Sequence, residues 1–180
     1  MKIGFIGLGN VGGKLAGSLL RNGFDLTVRD LNQEIARPFL DEGAKWGESP
    51  KEMTENSDLI ITCLPNPEAS ATVMEADDGV LAGISHGKVW AEMSTTDEEE
   101  VKRLGKMVHE LGGEALDCPV SGGCHRAATG NISIFVGGER SSFEKILPVM
   151  KVLGRRILHT GALGSASVLK VMTNYLATAN

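Results

Sequence analysis

Cysteine is scarce in this 180-residue chain: Cys63, Cys118 and Cys124 are all there is. An odd count without C-x-x-C spacing excludes a disulfide framework and a cysteine zinc site, and it points to a reducing compartment. No apolar run approaches the ~18 residues of a membrane-spanning helix. No charged leader with an apolar signal core precedes the first strand-like segment. Basic charge is not in excess either. Lys and Arg number 18 against 23 Asp and Glu, for a net charge of −5 with both signs dispersed. That excludes a basic surface for nucleic acid or anionic membrane. The run Asp97-Glu98-Glu99-Glu100 reads as the solvated first turn of a helix, where acids suit the dipole. Repeats, low-complexity tracts and long linkers are missing. These absences describe a cytoplasmic protein with no bound metal and no membrane or nucleic-acid partner. Its length suits one domain with a sizeable core, or one domain plus part of another.

Glycine, by contrast, is plentiful, with 23 residues, and three of them open the chain in a telling order. Ile3, Phe5 and Ile6 form a short apolar run that leads into Gly7-x-Gly9-x-x-Gly12 and then a helical pattern ending near Arg21-Asn22-Gly23. A dinucleotide pyrophosphate needs this order of strand, turn and helix. Gly7 makes the tight turn, Gly9 lets backbone approach the phosphates, and Gly12 lets the helix pack on the strand. Leu8, Asn10 and Val11 complete the turn, and the N–H groups and dipole of the helix face the anion. Residues 24–29 read as a second strand closed by Asp30, placed to bind the adenosine ribose hydroxyls.

Strand-like and helix-like segments then alternate, so the expected fold is α/β, Rossmann-type and doubly wound with a mainly parallel sheet. Strands are expected near 2–6, 24–29, 44–46, 58–64, 88–92, 114–117, 132–136 and 156–159. Asn32 is a candidate cap for the second helix, Pro38 a candidate kink within it, and Gly43 its stop. Ser49-Pro50 reads as N-cap and first helical residue. Thr96 with Glu99 has capping-box spacing ahead of a helix to about Leu111, stopped by Gly112-Gly113. From about Ser165 to Asn180, apolar residues go most of the way round a helix, which is the pattern of a helix buried on several sides.

Ligands in open α/β sheets sit beyond the carboxyl ends of the strands. Leu64-Pro65-Asn66-Pro67 and Glu92-Met93-Ser94-Thr95-Thr96 end two strands and so flank the expected cofactor, although turn and cap roles fit each loop equally well. Asp117-Cys118-Pro119-Val120-Ser121-Gly122-Gly123 ends another strand with a hydroxyl and approachable backbone N–H groups, which suits a small carboxylate. Lys170 and Asn174 lie one turn apart on one helix face. A lysine flanked by Val168, Leu169, Val171 and Met172 is a candidate general acid/base, because desolvation lowers its pKa. The alternative is a lysine that snorkels to water.

These motifs together resemble the β-hydroxyacid dehydrogenase family, which includes 3-hydroxyisobutyrate dehydrogenase and tartronate semialdehyde reductase. The matching pieces run in order along nearly the whole chain. They are FIGLGxxG at 5–12, Asp30, LPN at 64–66, MST at 93–95, DxPVSGG at 117–123, GxxxxxVGG at 130–138, and the glycine, lysine and asparagine run from Gly161 to Asn174. The resemblance implies reversible hydride transfer between NAD, with NADP possible, and a small 3-hydroxy carboxylate or its semialdehyde. It implies Lys170 as catalytic lysine, with Asn174 holding lysine and substrate in register, and Ser121, Gly122 and Gly123 as substrate anchor. Gly7, Leu8, Gly9, Asn10, Val11, Gly12, Asp30, Leu64, Pro65 and Thr95 would line the cofactor. Asp30 favours NAD by repelling a 2′-phosphate, while the adjacent Arg29 softens that preference.

The chain departs from the pattern at several points. Valine follows Asn10 where methionine is common, Cys118 replaces alanine, Ala166 replaces a common glycine, and Cys124-His125-Arg126 is unusually polar. Arg126 is read either as a partner for a second acidic group or as a solvated side chain; His125 has no assigned role. The family continues into an all-helical domain. Residues 1–163 are therefore expected to form the NAD(P)-binding domain, and 164–180 the start of an interdomain helix covered by that missing domain or by another subunit. A non-catalytic nucleotide-binding module is the competing reading, but it has no need of the anchor, Lys170 and Asn174 together. Imine reductases share the architecture and typically lack this lysine.

Overall fold

The computed structural model describes the backbone of residues 1–179 and the side chains of residues 1–176. Its first half is β1 (Lys2–Ile6), α1 (Gly12–Arg21), β2 (Asp25–Arg29), α2 (Gln33–Asp41), β3 (Lys45–Trp46), α3 (Pro50–Glu55), β4 (Leu59–Thr62), α4 (Pro67–Glu75), α5 (Val80–Gly83), β5 (Val89–Glu92) and α6 (Glu98–Glu110). The second half is β6 (Glu114–Asp117), β7 (Val120–Ser121), α7 (Gly123–Ala128), β8 (Ile132–Gly137), α8 (Arg140–Leu153), β9 (Gly154–Gly161) and α9 (Ser165–Ala179). The sheet runs β3-β2-β1-β4-β5-β6-β8-β7, with β9 on the other side of β8. The first six strands are parallel; β8 is antiparallel to β6 and β7, and parallel to β9.

Alternation along the strands divides the interior into two layers. Ile3, Phe5, Leu59, Ile61, Val89 and Ala91 join Leu15 and Leu19 of α1 and Ile146 and Met150 of α8 on one face. Ile6, Ile60, Trp90 and Ala115 meet Met53, Met74, Val101, Leu104 and Val108 from α3, α4 and α6 on the other. Burying each such large side chain contributes about 1.5–3 kcal/mol. Strands buried on both faces explain why β4 and β5 read as unbroken apolar runs. The chain reverses its direction of winding between β1 and β4, and this opens the crevice where ligands of such sheets bind.

The expected elements are present with shifted ends. The strand expected at 58–64 stops at Thr62, and that expected at 156–159 extends over Gly154–Gly161. Pro38 stays within α2, which Asn32 caps through the Glu34 N–H. Ser49 caps α3 with Pro50 following. The cap of α6 is a correction. Asp97, not Thr96, accepts the Glu100 N–H at 2.8 Å, while Thr96 is buried with an unpartnered hydroxyl. The last helix forms from Ser165, but its apolar surround is buried on one side only. Ala166 and Ser167 are buried, whereas Val168, Val171, Met172, Tyr175 and Leu176 are exposed. Asn180, the end of the expected interdomain segment, lies outside the described residues.

Candidate cofactor and active site

The parallel strands bring the turn after β1, the loops after β4 and β5, and the segment after β6 to one edge of the sheet. In the first turn, Gly7 adopts φ +98°, a conformation open to glycine and strained for other residues. A Cβ on Gly12 would run into the Gly7 carbonyl, so α1 packs on the turn at glycine distance. Gly9 has open space around it, and no side chain caps α1. The residues here leave backbone donors and room, which fits a pyrophosphate.

Asp30, just beyond β2, is fixed by two backbone donors. The Leu8 N–H donates to Oδ2 at 2.7 Å and the Asn32 N–H to Oδ1 at 3.0 Å. The acid thus holds the glycine turn and presents a carboxylate edge beside it. Arg29 is turned away. Its guanidinium donates to the Gly47 carbonyl at 2.7 Å and lies 5.4 Å over the Trp46 ring, so the residue that softened the preference for NAD is committed elsewhere.

Beyond β4, the Leu64 N–H donates to the Ser94 hydroxyl at 2.7 Å, which ties this loop to the one after β5. Pro65 and Thr95 are exposed at the rim. Asn66 caps α4 through the Ala69 N–H at 2.8 Å with Pro67 behind it, one form of the turn-and-cap reading of this loop.

Asp117 is named by sequence reasoning as a strand end but given no role of its own. It is fully buried at the end of β6, and its carboxylate meets the start of α9. The Gly164 N–H donates to Oδ1 at 2.8 Å; the Ser167 N–H and hydroxyl donate to Oδ2 at 2.7 and 3.0 Å. A carboxylate at a helix start satisfies otherwise orphaned donors and complements the dipole. Gly137 of β8 lies opposite, and a Cβ there would run into Asp117 Oδ1, so the close approach of the carboxylate needs a glycine. Ser165 adds a hydroxyl contact of 2.7 Å with Thr160. Asp117 therefore joins the segment leading to Ser121, Gly122 and Gly123 to the helix bearing Lys170.

Lys170 is 9 % exposed, and burial lowers its pKa from the usual lysine value. Asn174, one turn on, is exposed. Ser121 is half-buried in β7, paired with Ser133 of β8. Gly122 and Gly123 are exposed with φ +133° and +75°, a turn only glycines make readily. Cys124, His125 and Arg126 are exposed on α7. The stem of Arg126 lies against Gly122, and its guanidinium has no ion pair among the described residues. No cluster that could hold a metal occurs among the described residues, nor any helix long and apolar enough to cross a membrane. A cavity of about 280 Å³ among Lys2, Asp25, Lys45 and Glu52 lies at the opposite edge, where β1 and β2 begin.

A family model for the NAD binding domain of 6-phosphogluconate dehydrogenase matches residues 2–161. The mitochondrial 3-hydroxyisobutyrate dehydrogenase of Rattus norvegicus is 34 % identical over 174 residues, which is 97 % of this chain and 52 % of that protein. The 2-(hydroxymethyl)glutarate dehydrogenase of Eubacterium barkeri is 36 % identical over 180 residues, 100 % of this chain and 60 % of that protein. Among solved structures, the 3-hydroxyisobutyrate dehydrogenase of Mycobacterium tuberculosis with L-serine superposes with a TM-score of 0.91 at 28 % identity, covering 98 % of this chain and 60 % of that one. The chain thus spans little more than half the length of these relatives.

Proposed function

This chain belongs to the family of the NAD binding domain of 6-phosphogluconate dehydrogenase, and from that premise we propose that it is the cofactor-binding half of a 3-hydroxyacid dehydrogenase. Gly7 to Gly12 hold the pyrophosphate, Asp30 the adenosine ribose, and Leu64, Pro65 and Thr95 the nicotinamide end. When bound, the nicotinamide accepts or supplies the hydride. Ser121, Gly122 and Gly123 hold the substrate carboxylate. Lys170 takes the proton of the hydroxyl during oxidation and returns it during reduction, while Asn174 keeps lysine and substrate in register. NAD is the favoured cofactor, because the fixed Asp30 carboxylate repels a 2′-phosphate and Arg29 is committed to Gly47 and Trp46.

The observation that carries this reading is Lys170. It is a buried lysine with a lowered pKa, on a helix whose start is bonded to the strand leading into the carboxylate anchor. The exposed apolar side chains of α9 support a cover of further protein, either the helical remainder its relatives' lengths allow for or a second subunit. Two measurements test the reading. Titration of this chain with NADH and NADPH, followed by Trp46 fluorescence, gives saturable binding with NADH tighter. In a protein extended to its relatives' length, Lys170→Met lowers turnover by about 10²–10⁴-fold. Tighter NADPH binding, or turnover within a few-fold, refutes the respective assignment.

A further inference from the structure

Thr62, Glu92 and Asp117 are in-register neighbours on β4, β5 and β6, and all three are buried. Asp117 is taken up by the start of α9. Glu92, 1 % exposed, faces the cofactor loops instead. The Ser94 N–H donates to Glu92 Oε1 at 2.8 Å, and the same serine's hydroxyl oxygen accepts the Leu64 N–H at 2.7 Å. Hydroxyls of Ser94, Ser70 and Thr62 surround the carboxyl. Thr62 already accepts from the Trp90 indole at 2.9 Å, so its own proton is free to turn toward Glu92. No basic side chain pairs with Glu92 among the described residues, and Oε2 has no partner at hydrogen-bond geometry.

We propose that Glu92 is a positioning residue for the cofactor: through Ser94 it fastens the loop after β4 to the loop after β5, so that the two walls flanking the nicotinamide end keep one spacing. The proposal rests on the reading of Leu64, Pro65 and Thr95 as cofactor contacts. Glu92 does this as the uncharged acid. A buried carboxylate without a cation is strongly disfavoured, and burial raises the pKa of Glu92 from the ordinary carboxylate range. The titratable groups facing it are themselves acids. They are the thiols of Cys63 and Cys118, which burial pushes upward, and Asp117 beside it on β6. An uncharged Glu92 also spares a bound dinucleotide the repulsion of an anion beneath it.

The test uses this chain with NADH as probe and amide exchange at Leu64 as a readout independent of binding. Ser94→Ala removes the link while the Ser94 N–H stays on Glu92 Oε1, and should speed Leu64 exchange and weaken NADH binding by roughly fivefold, the loss of one net hydrogen bond. Glu92→Ala does the same or more, whereas Glu92→Gln, uncharged and of the same shape, recovers most of the affinity. Wild-type affinity falls as pH rises through the Glu92 titration, while that of Glu92→Gln stays flat. If Glu92→Gln binds as weakly as Glu92→Ala, the uncharged acid is the wrong species. Should Ser94→Ala leave Leu64 exchange unchanged, there is no fastening. Absence of NADH binding in the wild type, with Leu64 still protected through Ser94, overturns the cofactor reading rather than the fastening itself.

Discussion

Replacing Asp117 by Asn probes the junction between strand and lysine helix. Three donors converge on the carboxylate, at 2.7, 2.8 and 3.0 Å. Asparagine keeps both Ser167 donors if its oxygen takes the Oδ2 position, and its NH2 group then meets the Gly164 N–H head-on. A hydrogen bond to a charged group contributes about 1.5–3 kcal/mol, and bonds in one network do not add fully, so losing one and leaving two on a neutral acceptor costs roughly 3 kcal/mol. For a chain of this length each kcal/mol moves Tm by about 2–4 °C, so the variant should melt about 6–12 °C lower. Thermal unfolding followed by circular dichroism gives that shift. Hydrogen exchange resolved by residue then localises it, with the Gly164 and Ser167 amides losing protection before those of β1 or β4. A variant that melts within ~1 °C of wild type, or that keeps those two amides protected, would show that Asp117 does not hold α9.

Four further outcomes follow from the same geometry. Gly12→Ala drives a Cβ into the Gly7 carbonyl and should destabilise by about 1–3 kcal/mol. Gly9→Ala meets open space, so it should leave the melting temperature nearly unchanged while weakening NADH binding; paired denaturation and binding curves check both. Asp30→Ala removes the acceptor of the Leu8 and Asn32 amides. It should lower stability by about 1–2 kcal/mol and narrow the gap between NADH and NADPH in a parallel titration. The raised pKa of Glu92 makes stability depend on pH with a definite sign. Below the ordinary carboxylate pKa both folded and unfolded chains hold the proton and nothing is lost. As pH rises from there through the folded pKa, the unfolded chain ionises first and stability falls. Denaturation midpoints of Glu92→Gln should lack that decline, and an equal decline in both proteins would place its origin elsewhere.

Much of this was legible in the residues themselves. The glycine turn and Asp30 lie within one strand, turn, helix and strand, so local pattern carried them, and Ser49 and Asn32 cap the helices their spacing announces. Asp117 escaped because its partners lie 47 and 50 positions along the chain, and a strand-ending acid has no local signature of what will meet it. Glu92 escaped for the same reason, since its surroundings come from β4, α4 and the turn after its own strand. The α6 cap was misplaced by one residue because Thr96-x-x-Glu99 and Asp97-x-x-Glu100 overlap. Burial decided between them by drawing Thr96 inward and leaving Asp97 at the surface. The two-residue β7 is too short for any periodicity to reveal.

The ladder between β6 and β8 pairs Asp117 with Gly137, and no other in-register pair joins those strands in the described sheet. Six strands of nucleotide-binding sheet therefore meet the β7, β8 and β9 leaf through a neck one rung wide, braced by the Phe135 N–H on the Pro119 carbonyl at 3.1 Å. The leaf that carries Ser121 is thus held to the first six strands chiefly by side chains, Ile132, Ile134 and Val136 sharing one apolar layer with Leu15 and Leu19 of α1, and hardly at all by a backbone ladder.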